Sequence, residues 1–155
     1  MGKLQGRLAD GLKLYVRQMA WLNAVPKPDP RSKRAQNADA LPAVSRIDAM
    51  KAGGVTPVMP PNPAPHIIER LIEIGLTEAA GMSTGPLGWS TIDAWQRVSG
   101  VEMPPWEARL IRSLSVAYVA EGRAAESENC PAPWLAPATE ASISAELRVL
   151  DEVLG

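Results

Sequence analysis

Residues 85–118 read GPLGWSTIDAWQRVSGVEMPPWEARLIRSLSVAY, and their punctuation decides the fold. Ser90 with Asp93 three residues later has the form of a capping box with the shorter acid, so the pattern predicts a helix over 91–99. Ile92, Trp95 and Val98 form its apolar face. Trp89 precedes the cap, where it can pack back as a hydrophobic staple, and Gly100 supplies the stop. Pro104 and Pro105 then open a second helix. Its stripe is Trp106, Leu110, Leu114, Ala117 and Tyr118, with Ile111 broadening it and Gly122 as the expected end. Two punctuated helices carrying three tryptophans argue for a module built to pack against something.

Upstream, Pro65 suits a first helical turn, and His66 to Ala80 reads as a helix. Ile67, Ile68, Leu71, Ile72 and Ile74 give it a face wide enough for a central core helix. Before it lies TPVMPPNPAP, residues 56–65, expected to run extended as a stiff connector or as a ligand for an aromatic groove. Residues 43–51 suggest a short helix through Val44, Ile47 and Met50. Residues 3–22 form an amphipathic helix with a stripe of Leu4, Leu8, Leu12, Tyr15, Met19 and Leu22. Gly11 weakens its middle by about 1 kcal/mol relative to Ala, and Pro26, Pro28 and Pro30 stop it. Downstream, residues 123–138 read as loop around Trp134. Thr139 caps a last helix with a stripe of Ile143, Leu147, Leu150 and Leu154. No segment reads as a convincing strand. The expectation is an all-α fold: a small helical bundle with an extended Pro-rich N-terminal arm. Its parts are a basic helix and arm over 1–60, a helical core module over 61–122, and a loop with an amphipathic helix over 123–155.

With 155 residues the chain makes one small domain, or one with an arm. It has no Phe and five Trp, so Trp, Leu and Met must fill the bulky core positions. The net charge of −1 conceals a split. Residues 1–51 hold ten Lys/Arg against four Asp/Glu, whereas residues 52–155 hold six against thirteen. Such a split serves a basic arm that meets an acidic partner, or an arm that folds onto its own acidic body. The short basic cluster Arg31, Lys33 and Arg34 lacks interleaved aromatics, so nucleic-acid binding has no support beyond composition. No apolar run is long enough to span a bilayer, and the charged N-terminal stretch is unlike a signal peptide. A cytoplasmic location follows as the expectation. Cys130 is the only cysteine, which rules out a disulfide within one chain and fits a reducing compartment.

Groups that carry chemistry are sparse. No Gly-rich phosphate loop follows a strand, and no His/Cys spacing marks a metal site, so neither cofactor nor metal is expected. Glu69, Glu73 and Glu78 share one predicted helix, where spaced acids usually make a solvated face. Ser83, Ser90, Ser113 and Ser115 have no evident base, and Cys130 stands 64 positions from His66, the single histidine. A non-enzymatic protein is the expectation.

The run from Trp89 through Ile92, Trp95, Gly100, Pro105, Trp106, Glu107, Leu110, Leu114 and Ser115 to Tyr118 resembles bacteriophage tail assembly chaperones, small proteins of phage and prophage tail-morphogenesis clusters. The preceding PPNPAPHIIERLIEIGLTEAAGM is similar to the Pro-rich lead and first helix of such proteins. The likeness covers about residues 60–121. It implies a non-enzymatic assembly factor that binds the tape-measure protein and tail-tube subunits in the host cytoplasm, and it leaves homo-oligomerisation open. The partner contacts it suggests are Trp89, Trp95, Trp106, Arg109, Arg112 and Tyr118. Trp95 and Trp106 are expected to be mostly core and Trp89 nearer the surface. The alternative is a structural virion protein whose arm, residues 23–64, laces between subunits.

Overall fold

A computed structural model describes residues 2–33, 43–137 and 140–154, with some side chains in 140–146 excepted. Six helices lie within these residues: α1 (Lys3–Asn23), α2 (Arg46–Ala52), α3 (Pro65–Ile74), α4 (Trp89–Ser99), α5 (Pro105–Ala124) and α6 (Glu140–Leu154). Between α3 and α4 stands an antiparallel hairpin of β1 (Thr77–Ala80) and β2 (Ser83–Pro86). The molecule is therefore mostly helical with a small sheet, and the all-α expectation needs that correction.

The correction falls where a helix was expected to run on to Ala80. Gly75 takes a φ of 128° that halts α3, and Leu76 follows in the left-handed region at 65°. The N–H groups of both residues donate to the Leu71 carbonyl. Gly81, at 64°, then occupies the first central position of a two-residue hairpin turn, where glycine costs least. Ala and Glu are good helix formers, so nothing in TEAA signals a strand; the two left-handed turns impose it.

Helix α5 is the spine. Its buried Leu110, Ile111 and Leu114 meet Leu12 and Val16 of α1, Ile67, Ile68 and Leu71 of α3, Ile92 of α4, and Leu87 and Met103 from the connections. Helix α1 lies along α5 in the same direction: Gln5 and Ala9 share a recess with Trp106 and Leu110, and further along Arg17 pairs with Glu121 at 3.1 Å. The apolar face of α1 includes the expected Leu12 and Leu22 but is broader than the expected stripe and ends short of Leu4. Val16 and Ala20 are buried while Leu4 is exposed. Elsewhere Ile72 and Val98, both assigned to core faces by periodicity, are exposed, and α5 runs past Gly122 to Ala124.

Buried Ser115 fastens the hairpin to the spine. Its hydroxyl donates to the Leu76 carbonyl at 2.6 Å, just before β1, and accepts from the Leu87 N–H at 2.8 Å, just after β2. Helix α4 starts at Trp89, one residue before the expected cap, and Ser90 does not cap it. The cap comes from the hairpin: the Glu78 carboxylate accepts from the Gly88 N–H and, at 2.7 Å, from the Thr91 hydroxyl. Glu107, buried on α5, forms an ion pair with Arg70 of α3, and His66 Nε2 lies 3.9 Å from its other oxygen.

The described part of the Pro-rich arm is laid on the body. Gln18 donates to the Val58 carbonyl and accepts from the Trp134 N–H. An added Cβ on Gly11 would stand 3.1 Å from the Pro63 ring, so this glycine allows the arm to approach α1 closely. Lys27 bridges to Ser127 in a short parallel contact. Arg46 stacks over Trp21, 4.6 Å from the ring centroid, and donates to the carbonyls of Trp21 and Ser127. Burial holds its guanidinium below the usual arginine pKa, against an opposing pull from Cys130. The Trp21 indole N–H donates to the Cys130 carbonyl at 2.9 Å. Trp21 is thus docked on its own chain, and the backbone of Trp134 is tied to α1 through Gln18. The expected cap of α6, Thr139, and the side chain of Ile143 lie outside the described residues.

Candidate interaction groove

The side chains that could meet a partner lie on the seam between α1 and α5. The stripe of α5 that faces the core leaves its neighbouring face, Trp106, Arg109, Ser113, Val116 and Ala120, beside α1. Because α1 contributes small or slender residues there, the seam is not filled. A recess of about 260 Å³ is lined by Gln5, Ala9, Trp106, Arg109, Leu110 and Ser113. It continues, through shared Arg109 and Ser113, into one of about 500 Å³ bounded by Lys13, Trp89, Arg112, Val116, Ala117 and Ala120.

Three cations, Lys13, Arg109 and Arg112, border the larger recess, and no acid does. None of the three forms an ion pair with another described residue, unlike Arg17, Lys27, Arg70 and Arg97. The charged residues that line this recess are therefore all cationic. Trp89 forms one rim. It is 52% exposed despite its size, and the Arg112 guanidinium lies 5.6 Å from its ring centroid, near enough to brace it by a cation–π contact. The α5 side chains Val116, Ala117 and Ala120 add an apolar lining. An apolar channel with a tryptophan rim and unpaired cations suits an amphipathic segment that carries acids beside its apolar stripe.

Of the residues expected to contact a partner, the seam gathers Trp89, Trp106, Arg109 and Arg112. Two stand apart. Trp95 packs against the core from α4 and lines neither recess, with its indole N–H buried and unpartnered among the described residues. Tyr118 lies at the other end of α5, beside Asn23, Gly122 and Glu126. Lys13 was missed. It precedes Arg109 by nearly a hundred positions, and only the packing of α1 on α5 joins them.

Other reactive groups are otherwise engaged. Ser115 spends its hydroxyl on two backbone groups, and Glu78 spends its carboxylate on a helix N-terminus. Among the described residues, no group of three or more His, Cys, Asp or Glu could hold a metal ion, and no helix is long and apolar enough to cross a membrane.

No protein-family model matches the chain, and neither a curated protein nor a solved structure was found to be similar to it.

Proposed function

We propose that this protein is a non-enzymatic assembly factor of the phage tail assembly chaperone type, which holds a helical segment of a tape-measure or tail-tube protein in the α1/α5 groove. The observation that carries the reading is Trp89: a tryptophan left half in water, braced by Arg112, at the rim of a channel with three unpaired cations. Exposed tryptophan and arginine together are the commonest energetic anchors of protein interfaces. A tape-measure chain, long and helical, presents apolar stripes before the tail tube encloses it, and a short groove with few anchors binds such a stripe reversibly. The resemblance over residues 60–121 supplies the biological setting. The lacing-arm alternative draws less support, since residues 24–32 and 43–64 spend many of their hydrogen bonds on their own body.

Co-expression of the full chain with a helical tape-measure fragment tests the reading. The pair is expected to co-purify, and Trp89→Ala to weaken it about 30-fold, the loss of one hot spot of roughly 2 kcal/mol. A pair that never associates ends the proposal.

A further inference from the structure

Helix α6 presents to solvent what the groove lacks. Leu147, Leu150 and Leu154 lie on one face at steps of three and four, and they are 57%, 52% and 82% exposed. The helix carries four acids, Glu140, Glu146, Asp151 and Glu152, against the single base Arg148. The groove presents the converse: an apolar lining with Lys13, Arg109 and Arg112 around it and no acid. Their lengths also agree. The seam extends from Trp106 to Ala120 along α5, and α6 extends from Glu140 to Leu154, each a rise of about 21 Å at 1.5 Å per residue. Within one chain both surfaces stand open, since the apolar stripe of α6 is exposed and the recesses are empty of side chains.

We infer that the groove is the docking site for α6 of a second copy, so that two chains exchange C-terminal helices in a twofold-symmetric dimer. Each copy offers one acidic amphipathic helix and one basic groove, and the exchange pairs both at once. Leu147, Leu150 and Leu154 lie on Val116, Ala117 and Ala120, and Asp151, beside the stripe, meets a groove cation. The exchange occupies the same channel as the proposed tape-measure segment, so the dimer is the closed form of the factor and a partner helix displaces α6.

Sedimentation of the purified full-length protein alone tests this, with two variants whose changes lie at exposed positions. Lys13→Glu/Arg109→Glu reverses the groove; Leu147→Asp/Leu150→Asp spoils the helix stripe. The native chain is expected to be dimeric at about 100 µM and to dissociate more readily as salt is raised from about 0.05 to 0.5 M. Each variant alone is expected to be monomeric with unchanged helical circular dichroism. An equimolar mixture of the two is expected to regain a dimer, because one intact helix still meets one intact groove. A native chain that stays monomeric, including one whose α6 closes on its own groove, overturns the inference. So does a dimer that neither variant disturbs, or a mixture that stays monomeric. Failure here is separable from failure of the functional reading: a monomer that still captures the tape-measure fragment overturns only the exchange, and a dimer that captures nothing overturns only the partner.

Discussion

The Ser115 hydroxyl satisfies two backbone groups, a buried N–H and a part-buried carbonyl, one on each side of the hairpin. Ser115→Ala leaves the Leu87 N–H and the Leu76 carbonyl without it, a loss of about 2–4 kcal/mol. Denaturant unfolding followed by circular dichroism measures it, and a loss below about 1 kcal/mol would show that these groups find other partners. Arg70 makes a second such case. Its partner Glu107 is buried, and His66 at 3.9 Å is too exposed and distant to replace the guanidinium. Arg70→Leu is expected to destabilise by about 3 kcal/mol, since an unpaired buried carboxylate costs more than the pair contributes. Neither role is legible in the sequence. Ser115 reads as one more polar residue on a helix, and its partners lie 28 and 39 positions away. The exposure of Trp89 was legible, although it opens α4 and does not precede it.

Elements with their own punctuation are the ones periodicity recovers. Helix α5 starts at its prolines and buries Leu110, Ile111 and Leu114 of its expected face, and Gly100 stops α4 at a φ of 74°. Where an element takes its end from another, local reading fails. The N-terminus of α4 is capped from β1 by Glu78, so Ser90 was a plausible but wrong choice. Glu78→Ala is expected to cost about 1 kcal/mol, the usual worth of a cap, and to lower the thermal midpoint by about 2–4 °C. Ser90→Ala is expected to change neither. Gly88 is constrained by the same carboxylate, because an added Cβ would stand 2.8 Å from its oxygen. The hairpin itself was illegible for a related reason: Leu76 adopts a left-handed φ that leucine has no intrinsic preference for, and surrounding hydrogen bonds hold it there.

At the scale of the molecule, the N-terminal helix belongs to the core. Leu12 and Val16 of α1 are wholly buried in the cluster that α3, α4 and α5 also build, and α5 is the chief neighbour of α1. Removal of residues 2–23 is expected to abolish cooperative unfolding in calorimetry, because it uncovers the apolar side of α5. A sharp transition in that fragment would show that the core module stands alone. The charge split is partly answered within the chain: Arg17 meets Glu121, and Lys27 meets Glu126. What remains unanswered is the groove, and its cations come from both halves of the sequence. That is why no single stretch announces it.

The parallel lie of α1 on α5 also has a consequence in time. Arg17 and Glu121 are 104 positions apart. At a synthesis rate of about 5–20 residues per second, α1 waits roughly 5–20 s in the cell before its groove-mate has been made. Through that interval Leu12, Val16 and Ala20 have no spine to cover them, and the basic charge of the N-terminal segment works against association with other chains. The chain therefore begins with an unburied helix whose cover is the last part of the core to be made.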